Sequence, residues 1–306
     1  MCAKLAAMSR RIREEGVIGM LVEPTGEPRG TVLVLGGSTG GMDETVATAL
    51  ADAGFVSLAL AYFGVTGLPD RLAEIPVETV ERGILWLRDH ASEGRLRVGL
   101  VGASKGGELA LLAASLFSEH LSAVVGFSAS PVVWQAVPRD RRDRQQPALS
   151  SWTSGGAPVP FVRCGRPSLG TIVSLASAPL LHRQLRLLGV YESALKREPE
   201  AVAAAMIPVE QIAAPILLIS GTDDQLWPST RLAELAMARL GESERPYHDM
   251  HLRYEGAGHL AGRPAGPAAG SQRYALGGTA TNDLASHEDA WPQVLRLLAS
   301  DASPQR

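Results

Sequence analysis

Cysteine is nearly absent from the chain: 306 residues contain two, Cys2 and Cys164. That argues against a structural disulfide and fits a reducing compartment. Charge of one sign is also lacking. A formal net charge of −3 provides no bulk attraction to nucleic acid or to an anionic membrane surface. No run of eighteen apolar residues occurs, so no membrane span is expected. The opening M-C-A-K-L-A-A-M-S-R-R-I-R holds no apolar stretch of secretory-signal length. These absences predict a soluble, cytoplasmic protein with neither a nucleic-acid nor a membrane partner. What the chain does have is 45% hydrophobic residues against 20% charged, enough for a sizeable core. The length suits one large α/β domain or two small ones.

Periodicity alternates between short apolar runs and helical patterns. Residues 31–36, T-V-L-V-L-G, read as a buried strand that runs into the breaker cluster G-G-S-T-G-G. A helical pattern follows over 43–53, a strand over 55–61 and a helix over 76–90. A third strand over 96–101 leads into a helix from about 106 to 118. Further strands are expected at 121–127 and 215–220, with a short one ending at Arg253 and Tyr254, and a closing helix at 287–299. Strand and helix alternating at this spacing predict βαβ units around a parallel sheet. Two stretches break the rhythm. Residues 130–210, with the charge run R-D-R-R-D-R at 139–144, are too long for an ordinary connection and read as a lid-like insertion. Residues 261–286 read as a second long loop. The expectation is a single domain over 1–306 carrying that insertion.

The third strand ends in G-L-V-G-A-S-K-G-G-E at 99–108. A G-x-S-x-G match alone is weak. Here a strand precedes it and a helix follows, which is the setting of a nucleophile elbow, where the backbone passes too close for side chains two residues either side of the serine. Ser104 would be the nucleophile, between Gly102 and Gly106. Such a serine needs a base, an acid to orient it, and amide donors for the oxyanion. The later run I-L-L-I-S-G-T-D-D-Q-L-W-P at 216–228 ends a strand in two aspartates, and Y-E-G-A-G-H at 254–259 ends another in His259. The order serine, acid, histidine is that of the α/β-hydrolase arrangement. Gly221 and Pro228 are spaced to favour Asp224 as the acid, with Asp223 left to cap the turn. Oxyanion donors are expected from the Lys105 amide and from Gly37 or Ser38 in the first glycine loop. A dinucleotide-binding reading of that loop fails on the Gly36–Gly41 spacing. No residue pattern calls for a cofactor or a metal.

Three stretches carry a resemblance: G-A-S-K-G-G-E-L (102–109), L-A-L-A-Y-F-G-V-T-G-L-P (58–69) and G-T-D-D-Q-L-W-P-S (221–229). With G-A-G-H (256–259) and H-E-D-A-W (287–291), the chain from about 14 to 299 resembles the catalytic domain of acyl-CoA thioesterases and bile acid-CoA:amino acid N-acyltransferases. The resemblance implies an α/β-hydrolase fold, a mostly parallel sheet flanked by helices. It also implies Ser104, Asp224 and His259 as the catalytic set, and an acyl thioester of CoA or a carrier protein as substrate. The N-acyltransferase members resemble this domain but use cysteine as nucleophile, so a serine favours water as acceptor. Larger members place a β-sandwich before this domain, whereas this chain begins almost at the catalytic part.

Other conspicuous residues have plainer readings. Lys105 is expected to be an exposed elbow residue whose amide matters, and Glu108 either orients the site or pairs with a lysine. His248, Asp249 and His251 read as a solvated turn rather than a metal site, His287 as the start of the closing helix, and Cys164 as a small apolar residue. The charge run at 139–144 reads as a self-paired loop, with CoA phosphates or an acidic carrier as the rival partner. Competing functions are a carboxylesterase or dienelactone-type hydrolase, an acyltransferase with a non-water acceptor, and a non-catalytic binding protein on the same fold.

Overall fold

The computed structural model describes residues 7–91, 97–138, 143, 146–164, 184–265 and 274–300. The continuous apolar runs form strands because they are covered on both faces, as parallel strands are. β3 (Thr31–Leu35), β4 (Val56–Leu60) and β6 (Val98–Ala103) are buried at every residue. β10 (Ile216–Gly221) is too. With β1 (Met8–Glu14), β2 (Val17–Glu23), β7 (Leu121–Phe127) and β11 (Met250–Tyr254) they make an eight-stranded sheet in the order β1-β2-β4-β3-β6-β7-β10-β11. The six strands from β4 to β11 are parallel, and the β1–β2 hairpin adds to one edge antiparallel.

Alternation along each strand splits the core in two. Leu33, Leu35, Leu100 and Leu218 face one layer, which includes α2 (Glu78–Ala91) and α3 (Lys105–Phe117). Val32, Val34, Val101 and Ile219 face the other, which includes α1 (Glu44–Asp52) and the helix Ala280–Ala299. A period of two is what sends successive side chains to opposite faces. After β3 the chain crosses to β4 on one side and returns through β6 on the other. The strand order therefore reverses between β3 and β6, and in such sheets ligands bind beyond the carboxyl ends at that reversal. The first glycine loop and Ser104 both lie there.

Several expectations differ from what is observed. The β1–β2 hairpin was not expected. Met8–Glu14 has only Ile12 buried, and a left-handed pair, Glu15 (φ 53°) and Gly16 (φ 75°), closes the turn, as two-residue hairpins require. The last helix starts at Ala280, not at 287, because the Thr279 hydroxyl accepts from the Asn282 amide at 3.2 Å and so caps it earlier. His287 is accordingly mid-helix. Its Nδ1–H donates to the Gly262 carbonyl (3.3 Å) and its ring packs on Trp291.

Within 130–210 the described residues are far from structureless. Trp134 pairs with Val162 and Gln135 with Ser150 as isolated bridges. β8 (Trp152–Ser154) lies between β5 (Ile75–Pro76) and β9 (Ala157–Pro158), and a helix covers Leu188–Arg197. Of the charge run at 139–144 only Asp143 is described, and it pairs with Arg71.

Candidate active site

Ser104 is the hinge between β6 and α3, with φ 56° and ψ −121°. A non-glycine residue at positive φ is strained by about 1–3 kcal/mol, and such residues concentrate at functional sites. The flanking glycines have a steric reason. A Cβ on Gly102 would stand 2.2 Å from the Gly106 carbonyl oxygen, and one on Gly106 would stand 2.2 Å from that of Gly36. The turn is held by the Ser104 amide donating to Phe127 at 2.8 Å. Ser104 itself is half-buried. The first amides of α3, Lys105 among them, have no acceptor one turn back, and a helix N-terminus favours negative charge. Across from it lies the first glycine loop, where a Cβ on Gly37 would be 3.5 Å from Ser104 Cβ. Ser38 is exposed beside it.

The structure brings Asp224 and His259 together. His259 Nδ1–H donates to Asp224 Oδ2 at 2.7 Å, and both residues are buried. That bond selects the tautomer in which Nε2 is free to accept a proton. The second carboxylate oxygen of Asp224 accepts from the amides of Leu226 (2.9 Å) and Trp227 (3.2 Å), so every side of the carboxylate is held. Asp223 is exposed and turned away. It accepts from Gln225 Nε2 (2.6 Å) and from the Gly278 amide (2.9 Å), which builds the turn. The His259 loop is fixed from behind by its own amide on the Leu276 carbonyl (2.8 Å). In front, Arg263 pairs with Asp43, the cap of α1, at 2.5 Å.

Lys105 is not exposed, contrary to the sequence reading. Its side chain is 3% accessible, with Nζ 2.6 Å from Glu108 Oε1, 3.3 Å from the Trp134 carbonyl and 5.2 Å from the centre of the Trp152 ring. Glu108 Oε1 also accepts from Trp134 N (3.2 Å) and Trp152 Nε1 (2.7 Å). Burial pushes the Lys105 ammonium below its ordinary range and the Glu108 carboxyl above its own, each against the attraction of the other. The covering residues Trp134 and Trp152 come from beyond β7, where no local pattern announces them. From Trp134 an aromatic series runs back toward the histidine: Trp134 to Tyr191 (4.8 Å), Tyr191 to Trp227 (5.7 Å), Trp227 to His259 (6.0 Å). Burial pushes the Cys164 thiol, hydrogen-bonded to Tyr191, up to about 11.

Asp249 is engaged by Arg245, and His251 Nε2 by the Ser220 hydroxyl at 2.8 Å. Among the described residues, no group of three or more His, Cys, Asp or Glu is placed to hold a metal. No described helix is long and apolar enough to cross a membrane.

The sheet order, with a strained serine between β6 and α3, is that of an α/β hydrolase. An esterase of Pyrobaculum calidifontis has the same fold, with a TM-score of 0.55 at 16% identity over 98% of this chain and 85% of that one. The family described as BAAT / acyl-CoA thioester hydrolase C terminal matches residues 75–302, and the chain belongs to it. A peroxisomal succinyl-coenzyme A thioesterase of Mus musculus is 27% identical over 93% of this chain. Acyl-coenzyme A amino acid N-acyltransferase 1 of Mus musculus is also 27% identical, over 94%. The chain spans 63% and 64% of the lengths of these two relatives.

Proposed function

We propose that the chain is a serine hydrolase that opens acyl thioesters, acyl-CoA foremost, through an acyl-enzyme on Ser104. The observation that carries this reading is the buried His259–Asp224 pair, 2.7 Å apart, at neighbouring strand ends, with a strained serine at the carboxyl end of β6, in a chain of this family. His259 Nε2 takes the Ser104 proton as Oγ attacks the thioester carbonyl. Asp224 holds the tautomer and stabilises the imidazolium. The amides of Lys105 and of Gly37 or Ser38 receive the oxyanion. The C–S bond breaks, and the thiol leaves with the proton from His259. His259 then activates a water, which attacks the acyl-serine and releases the acid.

The segment 130–210 is read as cover over this site. Its helix Leu188–Arg197 puts Tyr191 against Trp227, and the Leu187 and Leu188 amides donate to the Gln225 carbonyl in the acid loop. A polar cleft of about 480 Å³ opens beside that loop, lined in part by Arg186, Asp223 and Gln225, which suits a phosphate-bearing carrier. The cysteine count supports a reducing compartment such as the cytoplasm. An N-acyltransferase among the relatives at equal identity favours a second reading, transfer to an amine in place of water.

Mass spectrometry after incubation with a panel of acyl-CoA thioesters tests the proposal. An acyl adduct on Ser104 is expected, with turnover lowered about four orders of magnitude in Ser104→Ala. Wild-type hydrolysis by that variant would end the proposal. Amide formation with added glycine or taurine would favour the second reading.

A further inference from the structure

Ser128, the first residue after β7, belongs to no motif considered above, yet all its polar groups are committed to β10 and to the loops that follow β10 and β11. Its backbone is left-handed (φ 44°) and it is buried. The amide donates to the Ile219 carbonyl at 2.7 Å, on the strand that leads into the acid loop. The carbonyl accepts from Trp227 Nε1 at 3.0 Å, three residues beyond Asp224. The hydroxyl donates to the His259 carbonyl at 2.9 Å. The residue before it, Phe127, accepts from the Ser104 amide at 2.8 Å. One dipeptide therefore touches the serine turn, the acid loop and the histidine loop.

The geometry points to Ser128 as a positioning residue, whose hydroxyl fixes the His259 backbone and with it the imidazole relative to Ser104. This rests on the catalytic set proposed above. A strained left-handed residue persists only where its surroundings over-determine it. Here the strain aims three hydrogen-bonding groups at β10, the acid loop and the histidine loop. Local packing alone would be met by a glycine, which reaches this backbone at no steric cost. What glycine lacks is the hydroxyl on the His259 carbonyl. An imidazole displaced by a fraction of an ångström from the serine loses rate while substrate binding elsewhere is untouched.

The test uses the full chain and two variants, Ser128→Ala and Ser128→Gly. Both lose the hydroxyl, but only glycine relieves the backbone. Steady-state hydrolysis of an acyl-CoA, the rate of Ser104 labelling by a fluorophosphonate, and thermal melting are measured for each. The expected result is a fall in kcat and labelling rate of about tenfold to a hundredfold in both variants, with KM changed less than about twofold. Ser128→Gly should melt close to wild type and still be slow. Activity that follows melting temperature, with Ser128→Gly near wild type in kcat and labelling, would overturn the positioning role. Ser104→Ala, assayed alongside, separates the two readings. If it retains turnover, the catalytic set itself has failed. If it is inactive while both Ser128 variants turn over normally, only the role of Ser128 has.

Discussion

Two buried acid–base pairs lie around Ser104, and they differ in almost everything except length. His259 and Asp224 are 2.7 Å apart, Lys105 and Glu108 2.6 Å. The first pair is built from two loops at neighbouring strand ends, and the second from one turn of α3. Asp224 spends both oxygens, on His259 and on two amides, whereas Glu108 Oε2 is buried with no partner among the described residues. His259 Nε2 has no hydrogen-bond partner among the described residues. The Lys105 ammonium is turned into the Trp134 carbonyl and the Trp152 ring. Close approach of an acid and a base therefore does not by itself define a catalytic base; in the proposed mechanism the two pairs are separated by the unengaged second nitrogen of His259. The pair on α3 is covered by Trp134 and Trp152, and for a buried pair the cost of leaving water offsets much of its mutual attraction.

Four experiments would break or sharpen this contrast. The largest effect is expected on turnover: His259→Ala should lower kcat by about four orders of magnitude or more, while Glu108→Gln lowers it by less than a hundredfold. A greater loss from Glu108→Gln than from His259→Ala, in steady-state assays, would reverse the assignment of roles. Next is stability at neutral pH. Lys105→Met or Glu108→Gln alone strands one buried group and should cost about 3–5 kcal/mol in denaturant unfolding, and the double variant should recover most of it. Losses that simply add would mean the two groups do not act as a unit.

The third is a pH dependence. Burial raises the Glu108 carboxyl above its ordinary 4.5, so the folded state holds that proton more tightly, and stability falls as pH rises through the window above 4.5. Burial lowers Lys105 below its ordinary 10.5, so the unfolded state binds the proton more tightly, and stability rises as pH climbs toward 10.5. Relative to the Lys105→Met/Glu108→Gln double variant, wild type should therefore show a shallow minimum in melting temperature at intermediate pH. Parallel curves would contradict both shifts. The smallest effect concerns Cys164. With Cys2→Ser as background, its thiol, pushed up to about 11, should react with iodoacetamide at pH 8 far more slowly than free cysteine. Equal rates would mean the thiol is not buried in solution.

The parts legible from sequence are those in which local pattern and chain order coincide. The β3, β4, β6, β7 and β10 runs are continuous and apolar because parallel strands are covered on both sides. The reading of Asp224 over Asp223 rests on spacing to Gly221 and Pro228, and the structure puts Asp224 against His259 and Asp223 at the Gly278 amide. Lys105 was misread because a lysine in the first turn of a helix is ordinarily solvated; its burial depends on Trp134 and Trp152, brought over from elsewhere. The β1–β2 hairpin was missed because Met8–Glu14 is exposed at six of its seven residues, so it presents almost no apolar pattern. Ser128 is invisible for a further reason. Its role lies in a backbone angle and in three partners more than 90 residues away, none of which leaves a trace in S-A-S.

The ion pair of Asp43 with Arg263 joins residues 220 positions apart. Closing so long a loop is slow and entropically costly, and contacts of this range depress folding rates. During synthesis the Ser104 turn emerges well before His259 and Arg263 do. A nascent chain that has reached only β10 holds Ser104 but neither His259 nor the Arg263–Asp43 pair that ties the His259 loop to α1. The catalytic set proposed for this chain is therefore complete only once the segment beyond β11 has folded back against the start of α1.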